Sequence, residues 1–251
     1  MNDTITLNLR CRQLVRDEAN RAKWQIVTQR RDLPAAHAAI IICDMWDHHW
    51  CRGAEERAAA LAPRMNEVVR AARGRGVTII HAPSETMAFY EGAPARQRAL
   101  ETPPAEPPTP IGRPDPPLPV DASDGGSDTN AGDEVVDTSV WTRQTEVLEI
   151  DQDRDFISDE GRQIYSILRH RGIRQVIIMG VHTNMCILGR SFAIKRMVKW
   201  GVPIALCRDL TDAMYNPAMP PYVSHDEGTR LVVEYIEKFW CPTISSADLV
   251  E

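Results

Sequence analysis

Residues 176–186 read VIIMGVHTNMC, and the fold can be argued from how that stretch is built. The apolar run Val176–Met179 stops at Gly180. A polar turn, Val181-His182-Thr183-Asn184, follows, and Cys186 stands at the mouth of a helical segment expected over Met185–Trp200. A short, wholly apolar strand that hands over to a helix fits a parallel sheet covered on both faces. Open sheets of that kind bind ligands at the carboxyl ends of their strands. A thiol in the first turn of a helix faces unpaired N–H groups and the positive end of the dipole, so a lowered pKa is expected. Two readings fit the position: a reactive nucleophile or a buried, inert cysteine.

The same alternation extends outward in both directions. Ala38–Cys43 (AAIIIC) is a second fully apolar run, Glu55–Arg73 has helical periodicity ended by Gly74 and Gly76, and Val77–Ile80 is a further strand. Ser84 is expected to cap a short helix. Val147–Ile150 reads as the next strand, and a helix opens at Ser158 or Asp159 and closes at Gly172. Val202–Cys207, a helix over Asp226–Phe239 and a final edge strand at Pro242–Ser245 complete the series. Strands alternating with helices imply a doubly wound, three-layer α/β/α domain with a parallel six-stranded sheet in the order 3-2-1-4-5-6. Residues 4–14 and 22–31 alternate about a charged turn and read as an N-terminal hairpin packed on the body. The domain division expected is therefore a hairpin extension over residues 1–36 and the main domain over 37–251. Within the latter, residues 93–137 form a Pro- and Asp-rich irregular insertion, either mobile or pinned as a lid.

Composition narrows the function. The chain has 251 residues, a formal net charge of -6 and a sequence pI near 5.7. No basic stripe suggests nucleic acid, and no apolar run is long enough for a bilayer. The first residues lack the apolar core of a signal peptide, so a cytoplasmic location is the expectation. The 6 cysteines are scattered without a CxxC pair, which suits reduced thiols better than a zinc knuckle or a disulfide framework.

Asp44 follows AAIIIC directly and so occupies a strand's carboxyl edge, as Cys186 does. If the two strands are neighbours across the switch point, a carboxylate can take the thiol proton and return it to a leaving group. The alternative is an Asp that caps a turn. Trp46, Trp141, His49, His81 and Tyr215 fall near strand ends or in the insertion, where rings and imidazoles can wall a pocket for a small molecule. Asn184 is expected either to cap the helix or to touch substrate. Asp121, Asp124 and Asp128 have the composition of a calcium loop but not its spacing, and a solvated loop is expected there.

An apolar run ending in Asp44, followed far along the chain by GVHTNMC with Cys186 heading a helix, is similar to the isochorismatase-like cysteine hydrolases. That family includes nicotinamidases and ureidoacrylate and biuret hydrolases. The resemblance covers roughly residues 36–246, and the GV-x-T-x-x-C turn is its most specific part. It implies Asp44 as general base, Cys186 as nucleophile and a cis Val181–His182 peptide. It also implies an oxyanion hole made of the His182 and Cys186 backbone N–H groups. The family places a Lys between these two residues. Here the lysines are only Lys23, Lys195, Lys199 and Lys238, so Arg143, with Arg154 as the alternative, is the expected cation beside the pair. An Arg can orient charge but cannot shuttle protons. The nicotinamidase branch binds a metal through an Asp-x-His pair followed by a His, and no Asp-x-His follows the second strand here. His48, His49, His81 and Glu85 could cluster near the same edge, but adjacent His48 and His49 cannot easily both face one ion, so neither metal nor other cofactor is expected. The function implied is hydrolysis of a C–N bond in a small amide or ureide through a thioester. The rivals are a non-catalytic or altered-activity binding relative that lost its Lys, and an isochorismatase-type enol-ether hydrolase. A homo-oligomer is also implied.

Overall fold

The computed structural model describes residues 3–129 and 140–250. A thirteen-residue hairpin, β1 (Thr4–Arg16) and β2 (Ala22–Pro34), comes first and is paired from Thr4↔Pro34 to Arg16↔Ala22. Its turn is held by Asp17, whose Oδ1 accepts the N–H groups of Ala19 and Arg21. The alternating chain follows: β3 (Ala38–Cys43), α1 (Arg52–Gly74), β4 (Thr78–Ala82), α2 (Pro94–Glu101), β5 (Phe156–Ile157), α3 (Gly161–His170) and β6 (Gln175–Val181). Then come α4 (Cys186–Gly189), α5 (Ile194–Lys199), β7 (Ile204–Asp212), α6 (His225–Phe239) and β8 (Thr243–Ile244).

All strands join one eight-stranded sheet, in the order β2-β1-β8-β7-β6-β3-β4-β5. Read from β5, the six parallel strands follow the expected order 3-2-1-4-5-6. The hairpin does not pack on the body as expected. It continues the sheet, with Arg10 paired antiparallel to Thr243, so β8 is an interior strand rather than an edge. The guanidinium groups of Arg10 and Arg12 close on the buried Glu237 of α6, and Asn8 is bonded to Asp248, which fixes the hairpin in that plane.

The strand-to-strand alternation sets the two cores. Ala39, Ile41 and Cys43 of β3 and Val176 and Ile178 of β6 face one layer with Ile164 and Ile167 of α3, Met197 of α5 and Ile236 of α6. Ile40, Ile42, Ile177 and Met179 face the other, against Met65, Val68 and Val69 of α1 and Ile5 and Leu7 of the hairpin. Each fully buried Ile contributes about 1.5–3 kcal/mol of apolar burial.

Three elements differ from the sequence reading. The strand expected at Val147–Ile150 is irregular, with Val147 half exposed; the third parallel strand is the two-residue Phe156–Ile157, too short to leave a periodic signal. Ser84 caps no helix: a 3-10 turn at Met87–Tyr90 stands there instead, and α3 is capped by the Glu160 carboxylate. The helix expected over Met185–Trp200 is broken into α4 and α5. Gly189 ends α4, Arg190 is extended, and Ser191 is pinned by accepting the Gly161 N–H on its Oγ. A Cβ on Gly161 would lie 2.1 Å from the Ser191 carbonyl oxygen, so the chain passes there only because the helix starts with glycine.

The insertion is pinned over the residues described. Ile111 N–H bonds the Lys199 carbonyl, Asp115 pairs with Lys195 and accepts from Tyr235, and Asp121 N–H bonds the Pro220 carbonyl. The expected end of the insertion, residues 130–137, and the first two residues of the hairpin extension lie outside the described residues.

Gly180 determines how the site strands meet. It pairs with Cys43, has a φ of +115°, and a Cβ there would lie 2.0 Å from the Cys43 carbonyl oxygen. Gly180→Ala is expected to cost at least about 2 kcal/mol and to lower the melting temperature by several degrees in differential scanning calorimetry. Gly189→Ala, where no atom stands within 4 Å of the new methyl, is expected to stay within about 0.5 kcal/mol of the parent. Equal melting of both variants would contradict this assignment.

Candidate active site

The Cys43↔Gly180 pairing puts the next residues of β3 and β6 side by side at the carboxyl edge. Asp44 turns there with a φ of +48°, and its side chain is fully buried. Both carboxylate oxygens are engaged: Oδ1 accepts the Ser84 N–H at 2.8 Å and Oδ2 accepts Arg190 Nε at 2.9 Å. The Cys186 thiol lies close enough to this carboxylate for each group to shift the other's pKa. The structure thus brings together Asp44 and Cys186, 142 residues apart in sequence, on adjacent strand tips. The Val181–His182 peptide is cis.

The thiol differs from the lowered pKa expected of it. Burial, reinforced by the Asp44 charge and opposed by Arg190, pushes Cys186 up to about 12. The expectation assumed a long helix. The four residues of α4 form barely one turn, too short for a developed macrodipole. Burial raises Asp44 as well, against the opposing pull of Arg190 and the hydrogen bonds from Cys186 and Ser84. A neutral thiol beside the Asp44 side chain is therefore the resting arrangement.

Arg190 is the site cation that sequence reasoning missed. Its Nε binds Asp44, its Nη1 binds Glu85 at 2.8 Å, and its guanidinium lies over Trp46. Arg143 does not take that place. It pairs with Glu146 at 2.6 Å and approaches Asp47 at 3.9 Å, with its guanidinium over Phe89. Arg154 is an exposed partner of Asp151. The missed signal was at hand: Arg190 follows Cys186 by one helical turn, and Gly189 before it invites a break. An uninterrupted helix over that stretch hid it.

Cys186 opens into a cavity of about 270 Å³ lined by Trp46, His49, Trp50, Trp141, His182 and Arg190, among others. Trp46 and Trp141 are stacked at 4.2 Å, and Trp46 Nε1 donates to the Ser84 carbonyl. The His49 ring lies against Trp50 and Trp141, and its Nδ1 accepts the Cys51 N–H. Gly125 of the insertion contributes to the cavity wall. His182 is buried, its Nε2 has no partner, and burial together with neighbouring His49 lowers its pKa to about 3. Trp46, His49 and Trp141 thus stand where the sequence placed them.

Three expected substrate contacts lie elsewhere. His81 is wholly buried between Gln144 and Asp155, and Asp155 in turn is bound by Arg73 at 2.6 Å. Asn184 neither caps α4 nor faces the cavity; it pairs with both main-chain groups of Met214 and so ties the turn to the segment after β7. Tyr215 is buried against Gly228, its hydroxyl donating to the Met219 carbonyl. Each side chain points inward, which a strand-end position alone cannot reveal. The acidic loop is not a solvated one either: Asp128 pairs with Arg57, which also holds Asp212, and Asp124 accepts from Asn216. Among the described residues no group of three or more His, Cys, Asp or Glu is arranged to hold a metal. No helix among them is long and apolar enough to cross a membrane.

The chain is similar to known proteins in sequence and in fold. The sequence model of the isochorismatase domain matches residues 38–219. The fold is similar to that of a cysteine hydrolase from Pseudomonas syringae pv. phaseolicola, with a TM-score of 0.52 at 16% identity over 87% of this chain and 92% of that one. An isochorismatase from Pseudomonas putida KT2440 aligns at a TM-score of 0.49 and 13% identity, over 85% of this chain and 90% of that one. No curated protein sequence matches the chain.

Two outcomes follow from the site's electrostatics. Because the thiol pKa is raised, its proton stays on through the neutral range; alkylation of Cys186 by iodoacetamide should keep rising to at least about pH 10 with no earlier plateau. A plateau near pH 7, read by peptide mapping, would show a preformed thiolate. Arg190→Met strands the buried Asp44 charge and is expected to cost about 2 kcal/mol or more in urea unfolding, short of the roughly 3–5 kcal/mol of a fully buried pair because Arg190 is partly exposed. Arg143→Met is expected to cost about 1 kcal/mol or less.

Proposed function

Since the chain belongs to the isochorismatase domain family, we propose that it is a cysteine hydrolase cleaving a C–N bond in a small amide or ureide. The observation that carries this reading is the neighbouring pair of Asp44 and Cys186 at one strand edge, the thiol open to a small cavity and the carboxylate held by Arg190. The Cys186 sulfur attacks the carbonyl carbon as its proton passes to Asp44, so no free thiolate is needed. The carbonyl oxygen takes the charge, facing the His182 and Cys186 backbone N–H groups. Asp44 then protonates the leaving nitrogen and the C–N bond breaks, leaving a thioester on Cys186. Water, losing a proton to Asp44, adds to the thioester; the acid departs and the proton returns to sulfur.

Arg190 keeps its proton throughout. It holds the carboxylate in place and offsets its burial, and it supplies the cation whose absence would favour a non-catalytic relative. The stacked Trp46 and Trp141 with His49 offer a flat wall suited to a planar amide.

A panel of small amides and ureides, read by ammonia or amine release and by intact mass, tests the proposal. Turnover with a transient acyl adduct on Cys186 is expected. Cys186→Ala should abolish it, and Asp44→Asn should lower kcat by about 10²–10⁴-fold. Turnover that survives Cys186→Ala would instead indicate chemistry without a covalent intermediate, as in enol-ether cleavage.

A further inference from the structure

Resting on the hydrolase reading, we infer that this cavity selects uncharged acyl donors and rejects substrates bearing a carboxylate. Arg190 is the cation lining the cavity among the described residues, and its Nε and Nη1 are already engaged, one by Asp44 and one by Glu85. Two acidic side chains thus share one guanidinium, and no cation of the cavity wall is left over for a substrate anion.

The imidazoles of the wall do not redress this. His182 is neutral, with a pKa near 3. His49 is lowered by burial and uses Nδ1 as an acceptor. Arg57, the next cation along, is held between Asp128 and Asp212. Residues 130–139 bring Asp133, Glu134 and Asp137 to the chain and no Lys, Arg or His. An anionic substrate would thus lose its hydration without gaining an ion pair, and would meet like charge.

Two alkylating probes of nearly the same shape test the inference: neutral iodoacetamide and anionic iodoacetate. The rate at Cys186 is measured for each by peptide mapping, and the ratio of the two is divided by the same ratio for glutathione. Cys186 is expected to favour the neutral probe by about tenfold or more beyond glutathione. Glu85→Gln, which removes one negative charge and frees one edge of Arg190, should shrink that preference several-fold. A ratio equal to glutathione's, with Cys186 labelled by both probes, overturns the inference and leaves the hydrolase reading standing. Failure of both probes to label Cys186 at about pH 10, where the thiolate fraction has risen, overturns the two together, since a site closed to molecules this small admits no substrate.

Discussion

The buried Asp44 carboxylate is the constraint on which the site depends. A charge removed from water must be met by donors on every side or it neutralises. Here the Ser84 N–H comes from the segment after β4, Arg190 from the segment after α4, and the thiol from α4 itself. Three stretches of chain far apart in sequence are thereby drawn to one point at the sheet's carboxyl edge. The break between α4 and α5 serves the same end. A helix continued through residue 190 would carry the guanidinium around its axis, whereas the extended Arg190 reaches back to the strand tip.

That clamp is possible because the backbone comes closer at this edge than side chains normally allow. Gly180 lets β6 press its end against the Cys43 carbonyl, and Gly161 lets the Ser191 segment cross the start of α3. Glycine at both places contributes the space of a missing Cβ rather than flexibility. The two contacts fix where Cys186 and Arg190 emerge, so the chemistry is carried by a rigid support. The insertion adds a wall at Gly125, anchored through Asp128 and Arg57 to the Asp212 end of β7.

The electrostatics also explain why a lowered thiol pKa is not needed. With Cys186 desolvated and Asp44 adjacent, ionising sulfur would place two negative charges beside one guanidinium. In the proposed hydrolysis, proton transfer at the moment of attack would avoid that state. Arg190 moderates the cost of Asp44's charge without taking part in the transfer, a division of labour that suits a group too basic to release its proton.

The sequence by itself determined the strand order, the wholly apolar β3 and β6, and the placing of Asp44 and Cys186 at their ends. Those features depend on local pattern: a run of buried residues, a glycine, and the register in which neighbouring strands must pair. It also marked Trp46 and His49, which follow the tip of β3 closely, and Trp141, just beyond the insertion, as cavity residues. Only the tertiary structure decided which cation serves Asp44, because Arg143 and Arg190 differ in where their backbone turns and not in their chemistry. The same holds for His81, Asn184 and Tyr215, whose partners Asp155, Met214 and Met219 lie on other elements. Residue type and spacing describe what a side chain is able to do; the packing of distant segments settles what it faces, and with it the charge balance of the site.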